Sequence, residues 1–265
     1  MVKPVPQAVF TAIAGAEDRM HASELARGPW DPHAQHGGAP AALLMRAFER
    51  LIGAKDLALA RVTYEILRPV PLGALEVKAQ ALSTGRRVQL LEGSILDTAG
   101  TEVVRARALR IRRAETQLQP ETVRPLLPPG QGAENDLERD QGVTFATDAM
   151  EIRFADGAFH QPGPATAWFR LRVALVAGEH ASPLQRLAAA SDFGNGISAV
   201  LRWDEHLFIN PDLTLYVERE PVGEWIALEA QTRIASGAVG VSESVLYDQQ
   251  GRVGRAMQAL LVARR

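Results

Sequence analysis

Cysteine is absent from the 265 residues. That excludes disulfides, a thiolate nucleophile and thiolate-held metals. No apolar run approaches the roughly 20 residues that span a bilayer. The opening segment MVKPVPQAVFTAIAGAEDRM breaks its apolar stretch too early for a secretory leader. Charge of one sign is lacking too. Lys and Arg number 29 against 31 Asp and Glu, with none of the basic clustering that a nucleic-acid binder carries. These absences point to a cytoplasmic protein without nucleic-acid partners or a membrane span. What remains is 46% hydrophobic and 23% charged, enough to bury a sizeable core.

The composition changes in mid-chain. Residues 114–144, AETQLQPETVRPLLPPGQGAENDLERDQGVT, are rich in Pro, Gln and acids and lack periodicity. A long segment of this kind inside one compact domain is unusual, so it reads as a linker. The stretches on either side recur. Thr63 and Thr214 are 151 positions apart, as are Arg68 and Arg219, Asp97 and Asp248, Gly100 and Gly251, and Arg107 and Gln258. A repeated module explains this recurrence. The expected division is 1–113, a linker 114–144, and 145–265.

Each copy alternates in period two, as Val62-Tyr64-Ile66 and Leu213-Leu215-Val217 do. Asp97-Thr98-Ala99-Gly100 and Asp248-Gln249-Gln250-Gly251 carry hairpin chemistry. Three or four long antiparallel strands per copy follow. One helix precedes each set. The first is GGAPAALLMRAFERLIG, with Pro40 in its first turn and Gly53 as a stop. The second is SPLQRLAAASDFG, with Ser182 as a cap, Pro183 next and Gly194 at its end. A buried helix wrapped by a curling antiparallel sheet is the hot-dog arrangement. The expected class is α+β, a double hot-dog with the two sheets joined edge to edge.

Several residues are candidates for chemistry. His36-Gly37-Gly38 opens the first helix, where free N–H groups favour a developing oxyanion. His33 nearby raises the thought of a metal, but no third ligand stands at a recognised spacing. Asp192 follows the apolar run Leu187–Ser191, where a carboxylate is costly unless it has partners. Asn195-Gly196 beyond it is either a helix end or a ligand loop. Asn210, Asp212 and Thr214 fall on one face if they share a strand. Gln258 sits in an otherwise apolar final strand, and Arg107 is its counterpart in the first copy. Arg86 and Arg87, after a turn at the sheet rim, are candidates for phosphate groups.

HGGAPAALLMRA, LRPVPLGALEVKAQALSTGRRVQ and NPDLTLYVEREPVGEWIALEAQTR with GRVGRAMQALL together resemble the double hot-dog acyl-CoA thioesterases of the TesB type. The resemblance implies hydrolysis of acyl-CoA without a cofactor, by a water held by an aspartate, a hydroxyl residue and a glutamine. The matching positions are Asp192, Asn210 and Gln258. Asn210 departs from the expected hydroxyl, and Thr214 is the alternative. His36, Gly37, Gly38, Asn195, Arg86 and Arg87 are then expected to bind substrate, with the acyl chain in a groove between the two helices. A homo-oligomer is expected. Two other readings stay open: a hydratase or dehydratase using His36 with Asp192, and a non-catalytic binder of acyl-CoA or acyl carrier protein.

Overall fold

The computed structural model describes residues 6–51, 56–114, 128–134, 142–237 and 239–265. The first half holds β1 (Ala8–Ile13), β2 (Ala16–Ala22), α1 (Gly38–Arg50), β3 (Leu57–Ile66), β4 (Gly73–Ala81), β5 (Val88–Leu96) and β6 (Glu102–Arg112). Then come β7 (Ala133–Glu134), β8 (Met150–Asp156), β9 (Ala165–Leu171), β10 (Ala174–Val176), α2 (Pro183–Ser191) and α3 (Gly194–Ile197). The chain ends with β11 (His206–Ile209), β12 (Asp212–Val217), β13 (Ile226–Ile234), β14 (Val239–Asp248) and β15 (Gly251–Arg264).

The strands form one sheet in the order β10-β1-β2-β4-β5-β6-β3-β12-β15-β14-β13-β9-β8-β7, with β11 on β15. Its seam is the antiparallel pair β3 and β12, where Thr63 faces Thr214. These are the two residues that the repeat equates, so a local two-fold axis passes between them. Thr214 Oγ1 donates to Thr63 Oγ1 at 3.2 Å across that axis. Outward from the seam, β6, β5, β4, β2 and β1 mirror β15, β14, β13, β9 and β8. The seam hides two strand edges that would otherwise be open to pairing.

The structure adds to the sequence reading and corrects it. Strands β1, β2, β8 and β9 precede the helices and extend each half. β2, AEDRMHA, hides its strand character because one face is polar while Met20 and Ala22 are buried. Residues 115–127 and 135–141 of the expected linker lie outside the described residues. Within the linker, Pro129–Gln131 form a 3-10 turn and β7 pairs with β8. The pairing of Arg107 with Gln258 is one residue out. Thr63 faces Arg107 across β3 and β6, whereas Thr214 faces Met257 across β12 and β15. The first hairpin is one residue longer, so Gln258 matches Ala108. A slip of one residue reverses the faces of a strand. Arg107 points out toward Glu92, and Gln258 points into the core.

Helix α1 lies on β4, β5 and β6, and α2 on β9, β12 and β13. Leu43, Leu44 and Phe48 of α1 and Leu187 to Ala190 of α2 are fully enclosed. Each large apolar side chain so buried contributes about 1.5–3 kcal/mol. The helices run antiparallel and touch. A Cβ added to Gly38 would lie 2.4 Å from the Ala189 carbonyl oxygen. The groove expected between them is therefore closed. At one end Glu49 of α1 accepts from Ser182 Oγ and Gln185 Nε2, both at 2.7 Å, at the start of α2. At the other end the start of α1 meets Asp192.

Gly38→Ala forces the helices apart. The expected cost is about 1–3 kcal/mol, as for other overpacked cores. Urea unfolding checks this, and an unchanged midpoint would contradict the close crossing.

Candidate active site

Asp192 is the residue that closes α2, and it is 5% exposed. A carboxylate so placed needs donors, and two side-chain amides supply them. Asn210 Nδ2 lies 2.8 Å and Gln258 Nε2 3.1 Å from Oδ1. The start of α1 lies against it and lowers its carboxyl pKa, and the Gly38 N–H donates to His36 Nδ1 at 3.1 Å. His36 Nδ1 stands 3.1 Å from Oδ2. Gly37 permits the approach, because a Cβ there would fall 2.7 Å from Oδ2. The positive end of the α1 dipole thus faces the carboxylate.

A second layer fixes these donors. Gln258 Nε2 also reaches the Asp192 carbonyl at 3.3 Å, and Gln258 Oε1 accepts from the Asn195 N–H at 3.1 Å. Asn195 Nδ2 donates to the Phe208 carbonyl at 3.1 Å, and Asn210 Nδ2 also donates to the Asp212 carbonyl at 3.0 Å. These contacts fix all three amide orientations. The His36 ring stacks on Phe193 at 4.3 Å and sits 5.2 Å from Phe145. Its tilt is therefore set by packing.

This cluster ends a cavity of about 820 Å³. His36, Gly37, Asp192, Asn195 and Asn210 line that end, while Phe159, Leu207, Ile209 and Leu261 supply apolar wall. Trp30 stacks on Trp203 at 4.7 Å along another side. Arg68 lines the cavity from an exposed position and has no partner among the described residues. Its repeat mate Arg219 behaves differently, binding Asp248 through both nitrogens at 2.5 and 2.6 Å. Asp97, the mate of Asp248, instead accepts from the Ala99 and Thr101 N–H groups of its own turn.

His36, Gly37, Gly38, Asp192, Asn195, Asn210 and Gln258 therefore come together. Three expectations change. Gly37 lies against the Asp192 carboxylate, and the Gly38 N–H donates to His36 Nδ1 at 3.1 Å. Thr214 is at the seam, bonded to Thr63, while Asn210 precedes β12, which begins at Asp212. Arg86 and Arg87 precede β5, at the end of the sheet opposite the cavity, since Val88 pairs with Ile111 while the cavity lies by Ile66. Arg68, Trp30, Trp203 and the ring-stacking Phe145 and Phe193 were not read as site residues. Among the described residues no three His or acidic side chains cluster as metal ligands, and no helix is long and apolar enough to cross a membrane.

Burial pushes the Asp192 carboxyl up to about 7, against hydrogen bonds from Asn210, Gly38, Gln258 and Gly37 that lower it. Burial also brings the His36 imidazole down to about 3. Between those values the native pair holds one proton. An unfolded His36 gains a proton below about 6.5, so burial of His36 makes stability rise with pH from about 3 to 6.5. An unfolded Asp192 loses its proton above about 3.8, so burial of Asp192 makes stability fall with pH from about 3.8 to 7. The two slopes cancel between about pH 4 and 6.5. Asp192→Asn leaves the His36 slope alone. Stability of that variant relative to wild type is expected to rise by up to about 1.4 kcal/mol per pH unit over this window. Melting temperatures measured across it test this, and parallel profiles would contradict it.

Two family patterns match the chain. The acyl-CoA thioesterase N-terminal domain matches residues 26–111, and the acyl-CoA thioesterase C-terminal domain matches residues 120–262. No curated protein sequence matches. Among solved structures, a hot-dog-fold protein of unknown function from Alicyclobacillus acidocaldarius has a TM-score of 0.74 at 16% identity, over 98% of this chain and 97% of its own. A proposed thioesterase II from Thermobifida fusca YX has a TM-score of 0.73 at 17% identity, over 97% and 96%. The acyl-CoA thioesterase II TesB2 of Mycobacterium marinum has a TM-score of 0.65 at 14% identity, over 91% and 96%. At these identities the structures show the fold. The double hot-dog fold and the two domain patterns in tandem place the chain in the acyl-CoA thioesterase family of thioester hydrolases.

Proposed function

We propose that the protein hydrolyses acyl-CoA, with the thioester carbonyl held at the Asp192 end of the cavity. The observation that carries this is a buried carboxylate ringed by donors at the polar end of a largely apolar cavity. Its negative charge favours proton loss from a water beside it, as general-base chemistry requires. Asn210 Oδ1 faces the same space without a partner among the described residues, and an amide oxygen accepts from water where a hydroxyl was expected. Oxygen bonds to the acyl carbon, the carbon–sulfur bond breaks, and CoA leaves as the thiol after taking up a proton. Phe159, Leu207, Ile209 and Leu261 receive the acyl group, and Arg68 at the mouth receives a phosphate of CoA. The site is composite: residues 36–38 come from the first half, and Asp192, Asn210 and Gln258 from the second.

The contact of 3.1 Å between His36 and Asp192 also fits an acid–base pair that hydrates an enoyl-CoA. An acyl-CoA panel that includes 2-enoyl esters separates the readings. Release of CoA supports hydrolysis, whereas loss of the enoyl absorbance without CoA release supports hydration.

Two variants test the hydrolytic reading. Asp192→Asn is expected to lower kcat about 100-fold or more on the best substrate. Unchanged turnover would rule out the Asp192 cluster. Arg68→Ala is expected to raise KM about two- to tenfold for CoA esters but not for the matching N-acetylcysteamine esters, which lack phosphate. An equal change for both ester types would remove Arg68 from phosphate binding.

A further inference from the structure

We infer that Gly196 gauges the acyl group and that the substrates are CoA esters whose acyl group carries a ring or a branch close to the carbonyl. The inference rests on the hydrolytic reading above and names its substrate class. Among the described residues four glycines line the cavity: Gly28, Gly37, Gly142 and Gly196. Three of them have a reason in packing or in the backbone. A Cβ at Gly28 would lie 3.0 Å from the His36 nitrogen, and one at Gly37 would lie 2.7 Å from Asp192 Oδ2. Gly142 holds a φ of 76°, which other residues rarely adopt. Gly196 has neither reason. Beyond its own helix, a Cβ there would meet only Trp203 Cζ2, at 4.0 Å, and its φ lies outside the left-handed region. It sits in α3 with its N–H on the Phe193 carbonyl at 3.0 Å, and a helical turn disfavours glycine relative to alanine. What the missing side chain provides is space.

That space is beside the reacting end. Gly196 follows Asn195, whose N–H donates to Gln258 Oε1 at 3.1 Å, and Gln258 in turn donates to Asp192. With the carbonyl held by that cluster, the first carbons of the acyl group reach the gap. The adjoining wall is stiff and aromatic. Trp203 stacks on Trp30 at 4.7 Å and meets the buried Phe208 edge-on at 4.6 Å. Trp30 also meets Phe208 edge-on, at 4.9 Å, and both indoles line the cavity. Rings that hold one another in this way do not close on a thin ligand. A straight chain leaves the gap at Gly196 unfilled and forfeits dispersion contacts there, whereas a ring or a branch fills it.

The test compares cyclohexanecarbonyl-CoA with heptanoyl-CoA, whose acyl groups have equal carbon number. In Gly196→Val the ratio of their kcat/KM values, ring over straight, is expected to fall about tenfold or more below that of wild type. A ratio taken within each enzyme cancels the intrinsic reactivity of the esters and any loss common to both. An unchanged ratio would overturn the inference. Gly196→Ala is expected to melt at or above the wild-type temperature, because the place of its Cβ is empty and a helical turn favours alanine. A fall of several degrees would show that packing demands the glycine and would also overturn it.

Binding reads the gauge without turnover. By calorimetry, wild type is expected to bind the cyclohexylmethyl thioether of CoA about tenfold more tightly than the heptyl thioether. Equal or reversed affinities would overturn the inference even if hydrolysis holds. A wild type that shows this preference but releases no CoA from any ester would overturn the hydrolytic reading instead, and the gauge would stand.

Discussion

One buried carboxylate organises this molecule. Asp192 ends α2 where α1 begins, and Asn210 and Gln258 supply the hydrogen bonds that burial demands. Much else serves that contact. Gly37 leaves room for the carboxylate, Gly38 lets the helices cross, and Gly194 leaves room for Gln258, whose Oε1 would be 3.0 Å from a Cβ there. An alanine at Gly37 or Gly194 would press on the cluster, and one at Gly38 would press on α2. The pair His36 and Asp192 then stores a single proton across most of the acidic range, which keeps the buried charge count low.

The two-fold axis makes the chemistry easier to locate. Glu49 is at the start of α2 much as Asp192 is at the start of α1, but hydrogen bonds from Ser182 and Gln185 occupy it. Ala58, Leu59 and Ala60 with Val217, Glu218 and Arg219 line a cavity of about 200 Å³. Counted by the repeat, these match Ile209, Asn210 and Pro211 with Ile66, Leu67 and Arg68, which line the large cavity. Leu59 stands where Asn210 stands. The fold offers the same place twice, and polar residues converge beside a large space in one of them. Arg68 follows the same logic, since its mate Arg219 is locked to Asp248 while Arg68 is left open to the cavity.

The repeat, the two helices and the three or four long strands of each copy were legible because period-two alternation, caps and hairpin turns are local signals. The outer strands were harder, since β2 presents four ionisable side chains in seven residues. Asp192 was legible as a carboxylate at the end of an apolar helix. Gln258 was legible as a polar residue in an apolar strand, but its face was not, because one extra residue in a distant hairpin decides it. Thr214 and Asn210 show the same limit. Pro211 separates them, so a reading by strand period put them on one face while the fold sends one to the seam and one to the cavity. Arg86 and Arg87 looked plausible because sequence gives charge without giving which end of the sheet a turn occupies. The approach of Gly37 to Asp192 joins residues more than 150 positions apart, and no local pattern announces it.

The most direct measurement is a structure with a non-hydrolysable acyl-CoA analogue whose thioester sulfur is replaced by carbon. The expected result is its carbonyl at the Asp192 end, with a water between it, Asp192 and Asn210 Oδ1, and a CoA phosphate at Arg68. An analogue whose carbonyl lies away from His36 and Asp192 would contradict the assignment of this cluster as the place where the thioester is cleaved.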